Sequence, residues 1–295
     1  MSALATAAPA EVRIAGGGFG DDLRAAGIVW RRELIRFSRN RLRILTSLVQ
    51  PVIYLFVLGT GLSTMISRGM PGTAGIRGVN FRTFLFPGVV GMTVLFTAIF
   101  SSVSIVWDRE FGFLREMLVA PVRRGALVVG KCLGGATVAT IQAVLMLALA
   151  GLVGVPYSPV LLLTLVGEML LAAITITTFG TFLAARISQV ESFQVVMQFV
   201  VLPLFFLSGA LFPLRNLPSW LTVLTRFDPL SYIVQPMRQA VFEHVSLTPA
   251  LAARFGAGGI TWGSWQVPLG LEIGITALFG AAMLAFAVKL FSKTE

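Results

Sequence analysis

Few residues in this 295-residue sequence have types and spacing that could do chemistry. Gly125-Ala-Leu-Val-Val-Gly130-Lys131-Cys132 fits G-x-x-x-x-G-K, the opening of a phosphate loop. Such a loop cradles phosphates with backbone N–H groups, and a Ser or Thr after the Lys holds magnesium. Cys132 stands in that last place, and the stretch opens an apolar run instead of following a strand. Hydrolysis of ATP by this chain is therefore not expected. Ser208 and His244 form a second candidate, an intramembrane serine hydrolase acting on lipid, provided the two meet in hydrogen-bond reach. No third group that would orient the imidazole is evident. Cys132 and His244 are the only residues of their types, which excludes an internal disulfide and the usual zinc sites. Glu168 lies about 12 Å into an apolar run, where a carboxylate is costly and a functional candidate. It is either a proton-coupled site or a neutral or internally paired group that fixes helix packing. Glu272 sits nearer a run's end and reads as interfacial.

These residues are set in an unusually apolar chain. Hydrophobic residues make up 56% and charged residues 12%, with mean hydropathy +0.86. Soluble domains carry about 25% charged residues. That composition excludes an ordinary soluble enzyme and a disordered chain. Six segments approach the ~20 residues that cross a bilayer. They are roughly 44–66, 83–106, 125–154, 160–184, 193–213 and 267–290, and the third is long enough to carry a cytoplasmic extension. Pro51 and Pro203 lie inside spans, where each would kink the helix and free a carbonyl. With the N-terminus inside, the cytoplasmic pieces hold 16 of the 23 Lys and Arg residues. The positive-inside rule thus favours both termini in the cytoplasm. It also accounts for a net charge of +10 without nucleic acid as a partner.

Residues 1–21 read as a flexible tail with no signal peptide. Residues 22–43 read as an amphipathic helix, with Leu23, Ala26, Trp30, Leu34 and Phe37 at helical spacing and arginines elsewhere. Such a helix lies on anionic headgroups; it either sets topology alone or docks a partner. The segment from Trp107 through Asp108-Arg109-Glu110-Phe111-Gly112 to Arg124 places Phe111, Leu114 and Leu118 on one helical face, ending at Pro121. It is a knob for another protein's groove or a solvated connector. After the fifth span, Ser208-Gly209 and Phe212-Pro213 break a helix near the outer surface. Pro218, Pro229, Tyr232 and Arg238 follow in a stretch too apolar for a free loop. A broken element at that depth needs protein or a cavity beside it. Gln50, Gln142, Gln194 and Gln198 are candidates for a polar route, with interhelical packing the plainer role. Gly130/Gly134 and Gly270/Gly274 have the spacing for close helix contact.

Taken together, the six spans, the Asp-Arg-Glu-Phe-Gly-Phe-Leu-Arg-Glu-Met-Leu-Val-Ala-Pro-Val segment and the Ser-Gly…Phe-Pro…Leu-Pro…Pro-Leu-Ser-Tyr…Arg segment resemble the permease subunits of type-2 ABC transporters. The daunorubicin-resistance branch of drug exporters is the most similar. The resemblance covers roughly 25–290. Asp228 stands where that family usually has Asn, and Gln235 where it commonly has an acidic residue. The resemblance implies an all-α integral membrane fold with six transmembrane helices in a 44–295 permease domain. It adds an N-terminal amphipathic surface helix, a cytoplasmic coupling helix and outer re-entrant helices. Asp108, Arg109, Glu110, Phe111, Gly112, Leu114, Arg115, Glu116, Leu118 and Pro121, within about 108–120, would couple to the ATPase. Ser208, Gly209, Phe212, Pro213, Pro229 and Tyr232, within an outer region of about 205–265, would form an outer gate. Glu168, Gln142 and Gln198 are candidates for the substrate path. No cofactor binds directly; ATP and magnesium would sit in partner ABC ATPase subunits. A second permease subunit and membrane lipids complete the partners, in a bacterial cytoplasmic membrane. The expected function is export of a hydrophobic or amphipathic drug, antibiotic or lipid-like molecule, with lipid-linked polysaccharide or glycolipid export as the alternative. An ion-coupled carrier using Glu168 and a lipid-acting enzyme using Ser208 or Glu168 remain the alternatives from other classes.

Overall fold

The computed structural model describes residues 18–69, 81–112, 123–214, 217–245, 259–263 and 265–293. Six helical segments in it are long and apolar enough to cross a membrane. The six-span, all-α architecture expected from the sequence is therefore present.

Helix α1 (Phe19–Arg39) begins at an extended Gly18 whose N–H donates to Asp21 Oδ2 at 3.2 Å. It ends at Asn40, so Arg41–Arg43 belong to the next helix and not to the surface helix expected over 22–43. The face that α1 buries is Asp22, Ala26 and Val29. Leu23, assigned to the apolar face by spacing, is exposed. The reason lies on the neighbouring helix, where glycines admit the small residues of α1.

The first span combines α2 (Arg41–Ile53), a π-helical turn (Tyr54–Leu58) and α3 (Gly59–Gly69). The π turn follows Pro51 within one turn. A proline removes one rung of the ladder, and a wide turn is a common way to absorb that loss. Helix α4 (Phe81–Glu110) is the centre of the bundle: every residue from Thr83 to Leu95 is buried. A helix apolar on all faces must be surrounded. It extends past the expected end at 106, through Asp108, Arg109 and Glu110. Gly112, at φ 79°, then ends it in a left-handed turn suited to glycine.

Helix α5 (Arg124–Leu147) carries the phosphate-loop look-alike as continuous helix. The expected third span to 154 instead breaks after Leu147 and closes with a 3-10 turn at Ala150–Val153. Helix α6 (Pro159–Ala184) starts with Pro159 at its first position, where a missing N–H costs nothing. Helix α7 (Val190–Leu207) stops at Ser208, short of the expected 213. Two short helices follow, α8 (Ser219–Phe227) and α9 (Ser231–His244). A hairpin, β1 (Thr261–Trp262) and β2 (Trp265–Gln266), pairs Trp262 with Trp265, and α10 (Leu269–Lys293) closes the chain's described part.

The spans alternate in direction. One end of the bundle collects α1, the end of α4 and the starts of α5 and α7, and is rich in arginine. The other end carries α8, α9 and the hairpin. Outward faces of the first span, α7 and α10 expose Leu45, Val49, Val57, Phe199, Leu202, Leu278 and Phe286, the surface a bilayer or a second subunit would cover.

Candidate functional site

At the basic end, three consecutive residues of α4 point to three different neighbours. Successive helical residues lie about 100° apart, so one turn can reach every surrounding element. Asp108 pairs with buried Lys131 of α5, and its Oδ2 also takes Arg32 Nη2 of α1 at 3.2 Å. Lys131 additionally donates to the Ser104 carbonyl at 3.2 Å and lies 3.9 Å from Glu33. Arg109 Nη1 donates to the carbonyls of Ala185 and Ile187 at 3.0 and 3.1 Å, just past α6. Its guanidinium lies 5.5 Å over the Phe291 ring of α10. Glu110 Oε2 accepts the N–H of Val190, the first residue of α7, at 2.8 Å.

Helix α1 is fastened to this hub by a second pair. Asp22 accepts the Arg123 N–H at 3.1 Å and lies 3.4 Å from Arg123 Nε. Between the two attachments α1 lies almost backbone-to-backbone on α5. A Cβ at Gly130 would sit 2.6 Å from the Ala26 carbonyl, and one at Gly134 would sit 2.7 Å from Glu33 Cβ. Close contact at the Gly130/Gly134 pair is thus made with α1. Gly270 and Gly274 of the other pair meet nothing among the described residues.

Beside the hub lies a cavity of about 500 Å³, within the usual range for small-molecule sites. Helix α4 supplies Phe96, Thr97, Phe100, Ser101, Ser104 and Trp107, a stripe about 16 Å long at helical rise. Helix α2 supplies Thr46, Ser47 and Gln50; α5 supplies Val138 and Gln142; α7 supplies Gln194. Charged residues line only the basic end: Glu33, Arg36 and Lys131. Lys131 and Glu33 are held in the ion cluster, and Arg36 lies 5.1 Å over the Trp107 ring. Gln142 is fixed on both sides: Nε2 donates to Ser47 Oγ at 2.6 Å and Oε1 accepts from Thr97. The lining is therefore mixed: aromatic faces, hydroxyls and amides, with cationic and anionic groups at one rim.

The other end of the bundle holds the broken element after α7. Ser208 is fully buried; its Oγ donates to the Phe205 carbonyl at 2.7 Å and accepts the Ala210 N–H at 3.2 Å. His244 Nδ1 meets the Ala240 carbonyl at 3.0 Å. The structure does not pair Ser208 with His244, so the arrangement that a serine nucleophile requires is not assembled. Gly209, at φ 71°, turns its carbonyl to buried Arg238, whose Nη2 donates at 2.6 Å. Ala210 then packs on Gly88 of α4, where a Cβ would fall 2.4 Å from the Ala210 carbonyl. Phe212, Pro213 and Pro229 are half-buried there. Asp228 caps α9: Oδ1 accepts the Leu230 N–H and Oδ2 the Ser231 hydroxyl, each at 3.0 Å. Burial pushes its carboxyl up to about 7 against the opposing pull of those bonds. Tyr232 donates to the Arg226 carbonyl at 2.9 Å and accepts from Trp262 Nε1 at 3.2 Å, which ties the hairpin to α8 and α9.

The expected site residues therefore separate into groups. Asp108, Arg109 and Glu110 end α4 and do not open a separate coupling helix. Phe111 is 70% exposed just beyond them. Leu114, Arg115, Glu116, Leu118 and Pro121 lie outside the described residues. Gln142 lines the cavity, whereas Gln198 is exposed on α7 away from it. Glu168 stands in another part of α6, its Oε2 enclosed without a hydrogen-bond partner and within electrostatic reach of Glu243 and Glu272. Arg36, the aromatic stripe of α4 and Arg238 were not singled out for these places by sequence reasoning. A signal for the stripe existed in the recurrence of Phe96, Thr97, Phe100, Ser101, Ser104 and Trp107 at three- and four-residue steps.

Six membrane-capable helices, four of them lining a mixed cavity beside a charged hub, define a polytopic membrane protein. Residues 24–242 match the ABC-2 type transporter family, and the chain belongs to it. Nodulation protein J of Rhizobium leguminosarum bv. trifolii is 30% identical over 220 residues, 73% of this chain and 80% of its own. The transport permease ycf38 of Cyanophora paradoxa is 28% identical over 221 residues, 74% of each chain. The multidrug ABC transporter permease YbhR of Escherichia coli (strain K12) is 29% identical over 172 residues, 57% of this chain and 46% of its own. The chain is thus a multi-pass transport permease of the ABC-2 type.

Proposed function

We propose that this permease is the membrane subunit of an ATP-driven exporter. It moves a hydrophobic or amphipathic molecule, a drug, antibiotic or lipid-like compound, out of the cytoplasm or inner leaflet. Separate cytoplasmic ABC ATPase subunits bind ATP and magnesium, and a second permease subunit, identical or not, completes the membrane unit. The basic end faces the cytoplasm of a bacterial inner membrane, as the distribution of arginine favours.

The cavity carries this reading. It sits at the basic end, so on this topology it lies at inner-leaflet depth, and its aromatic faces suit an apolar body while its amides and hydroxyls suit a polar one. The name of YbhR attaches multidrug transport to a relative, which agrees with such a lining. The abundance of uncharged polar side chains (Ser47, Gln50, Thr97, Ser101, Gln142, Gln194) favours a second reading within the family, export of a glycolipid or lipid-linked polysaccharide.

Replacing Phe111 and Leu114 together by Asp tests the reading. The variant inserts normally and its complex still hydrolyses ATP, but cells no longer clear a panel of amphiphilic fluorophores that the wild type clears. Undiminished clearance by the variant overturns the assignment of 108–120 to coupling.

A further inference from the structure

The contact between α4 and the start of α7 has a direction. Gln189, before Val190, is extended at φ −115° and ψ 134° and gives α7 no side-chain cap. The first N–H groups of a helix have no intrahelical partner, and they form the positive end of its dipole. Glu110 supplies the missing acceptor from another helix, 2.8 Å from the Val190 nitrogen. One residue earlier, Arg109 holds the carbonyls of Ala185 and Ile187. The last turn of α4 therefore grips the 185–190 turn with a cation on carbonyls and a carboxylate on an N–H.

Elsewhere α7 buries Phe193, Met197, Val201 and Phe205. Apolar packing is non-directional and lets a helix slide along its axis. A hydrogen bond to the helix terminus fixes that axis. Helix α7 places Gln194 in the cavity near its start and Ser208-Gly209 at its other end, where Arg238 holds the Gly209 carbonyl. The residues that follow Glu110 are the segment assigned to coupling.

We propose that Glu110 is a positioning residue that transmits displacement of the last turn of α4 to α7, so that the break at Ser208-Gly209 responds to events at the basic end. The inference rests on the ATP-driven reading above. Two variants probe one bond from its two sides. Glu110→Ala removes the acceptor. Val190→Pro removes the donor while leaving a residue favoured at the first helical position, after an already extended Gln189. Glu110→Gln keeps an acceptor oxygen.

The experiment uses the permease purified with its ATPase, in a Cys132→Ala background with a cysteine at Leu211. Labelling by a membrane-impermeant maleimide is compared without nucleotide and after trapping with ATP and vanadate. The wild type changes its labelling rate on trapping. Glu110→Ala and Val190→Pro hydrolyse ATP but lose about fivefold of that change, the lower range for coupling between sites. The double variant is no worse than either single one, and Glu110→Gln recovers most of the response. A full response in Glu110→Ala or Val190→Pro, or additive losses, overturns this inference alone. A wild-type complex that hydrolyses ATP without any change at Leu211 overturns the ATP-driven reading, and the inference with it.

Discussion

Arg238 donates to the carbonyl of Gly209 at 2.6 Å, from a side chain that is itself almost wholly buried. Its guanidinium lies 4.2 Å over the Phe84 ring, so one residue of α9 ties the broken end of α7 to the central helix. Arg238→Met keeps much of the volume and loses both interactions, leaving a buried carbonyl without its donor. The expected cost is about 2–3 kcal/mol, as for hydrogen bonds to charged groups. A lower thermal midpoint in detergent, with faster proteolysis near 208–218, is the outcome to look for.

The ion cluster predicts an asymmetry. Asp108 has two cationic partners, Lys131 and Arg32, whereas Lys131 without Asp108 keeps only Glu33 at 3.9 Å and neutral oxygens. Asp108→Ala should therefore cost about 3–5 kcal/mol, the range for leaving a buried charge unpaired. Lys131→Met should cost clearly less. Thermal midpoints of the two variants measured side by side check the order, and a reversed order contradicts the arrangement.

Two glycine pairs with the same spacing should behave differently. Gly130→Ala places a Cβ 2.6 Å from the Ala26 carbonyl, a backbone atom that cannot swing away. Overpacking of this kind costs about 1–3 kcal/mol, and here it lifts α1. Gly274→Ala meets nothing within 4 Å in the described chain and should be neutral or slightly stabilising. Tryptic cleavage at the arginines of α1 is the direct reading, faster for the first variant only.

Asp228 gives stability a pH dependence. Its carboxyl is raised by burial from 3.8 to about 7, so the folded chain holds the proton more tightly than the unfolded one. Stability from the neutral form is fully present below pH 3.8 and is lost as pH rises to about 7. Asp228→Asn stays neutral and still offers an oxygen to the Leu230 N–H. The variant should lose this slope and be more stable than the wild type at pH 8, by a few kcal/mol. Thermal midpoints from pH 5 to 9 compare the two profiles.

These contacts also show how far the sequence could be read. The spans were legible because crossing a bilayer demands long apolar runs, a constraint local to each segment. That the fifth span breaks within Ser208–Pro213 was legible because glycine and proline act on their own backbone, although the helix stops at Leu207 and not at 213. What spacing could not supply was the partner of each polar group. Lys131 looked like part of a phosphate loop, yet its ammonium is turned onto Asp108, 23 residues earlier. The glutamines looked alike along the chain, but Gln194 lines the cavity while Gln198, one turn later, faces outward. The 108–110 triplet looked like the start of a new helix; α4 continues through it because each charge finds a partner on a different neighbour.

The central claim is that this permease works as the membrane half of an ATP-driven exporter. Purifying the tagged chain in mild detergent from its native cells, with mass spectrometry of whatever comes with it, tests that most directly. The account predicts a P-loop ATPase in stoichiometric amount. A chain that purifies alone across several detergents, with nucleotide present throughout, contradicts it.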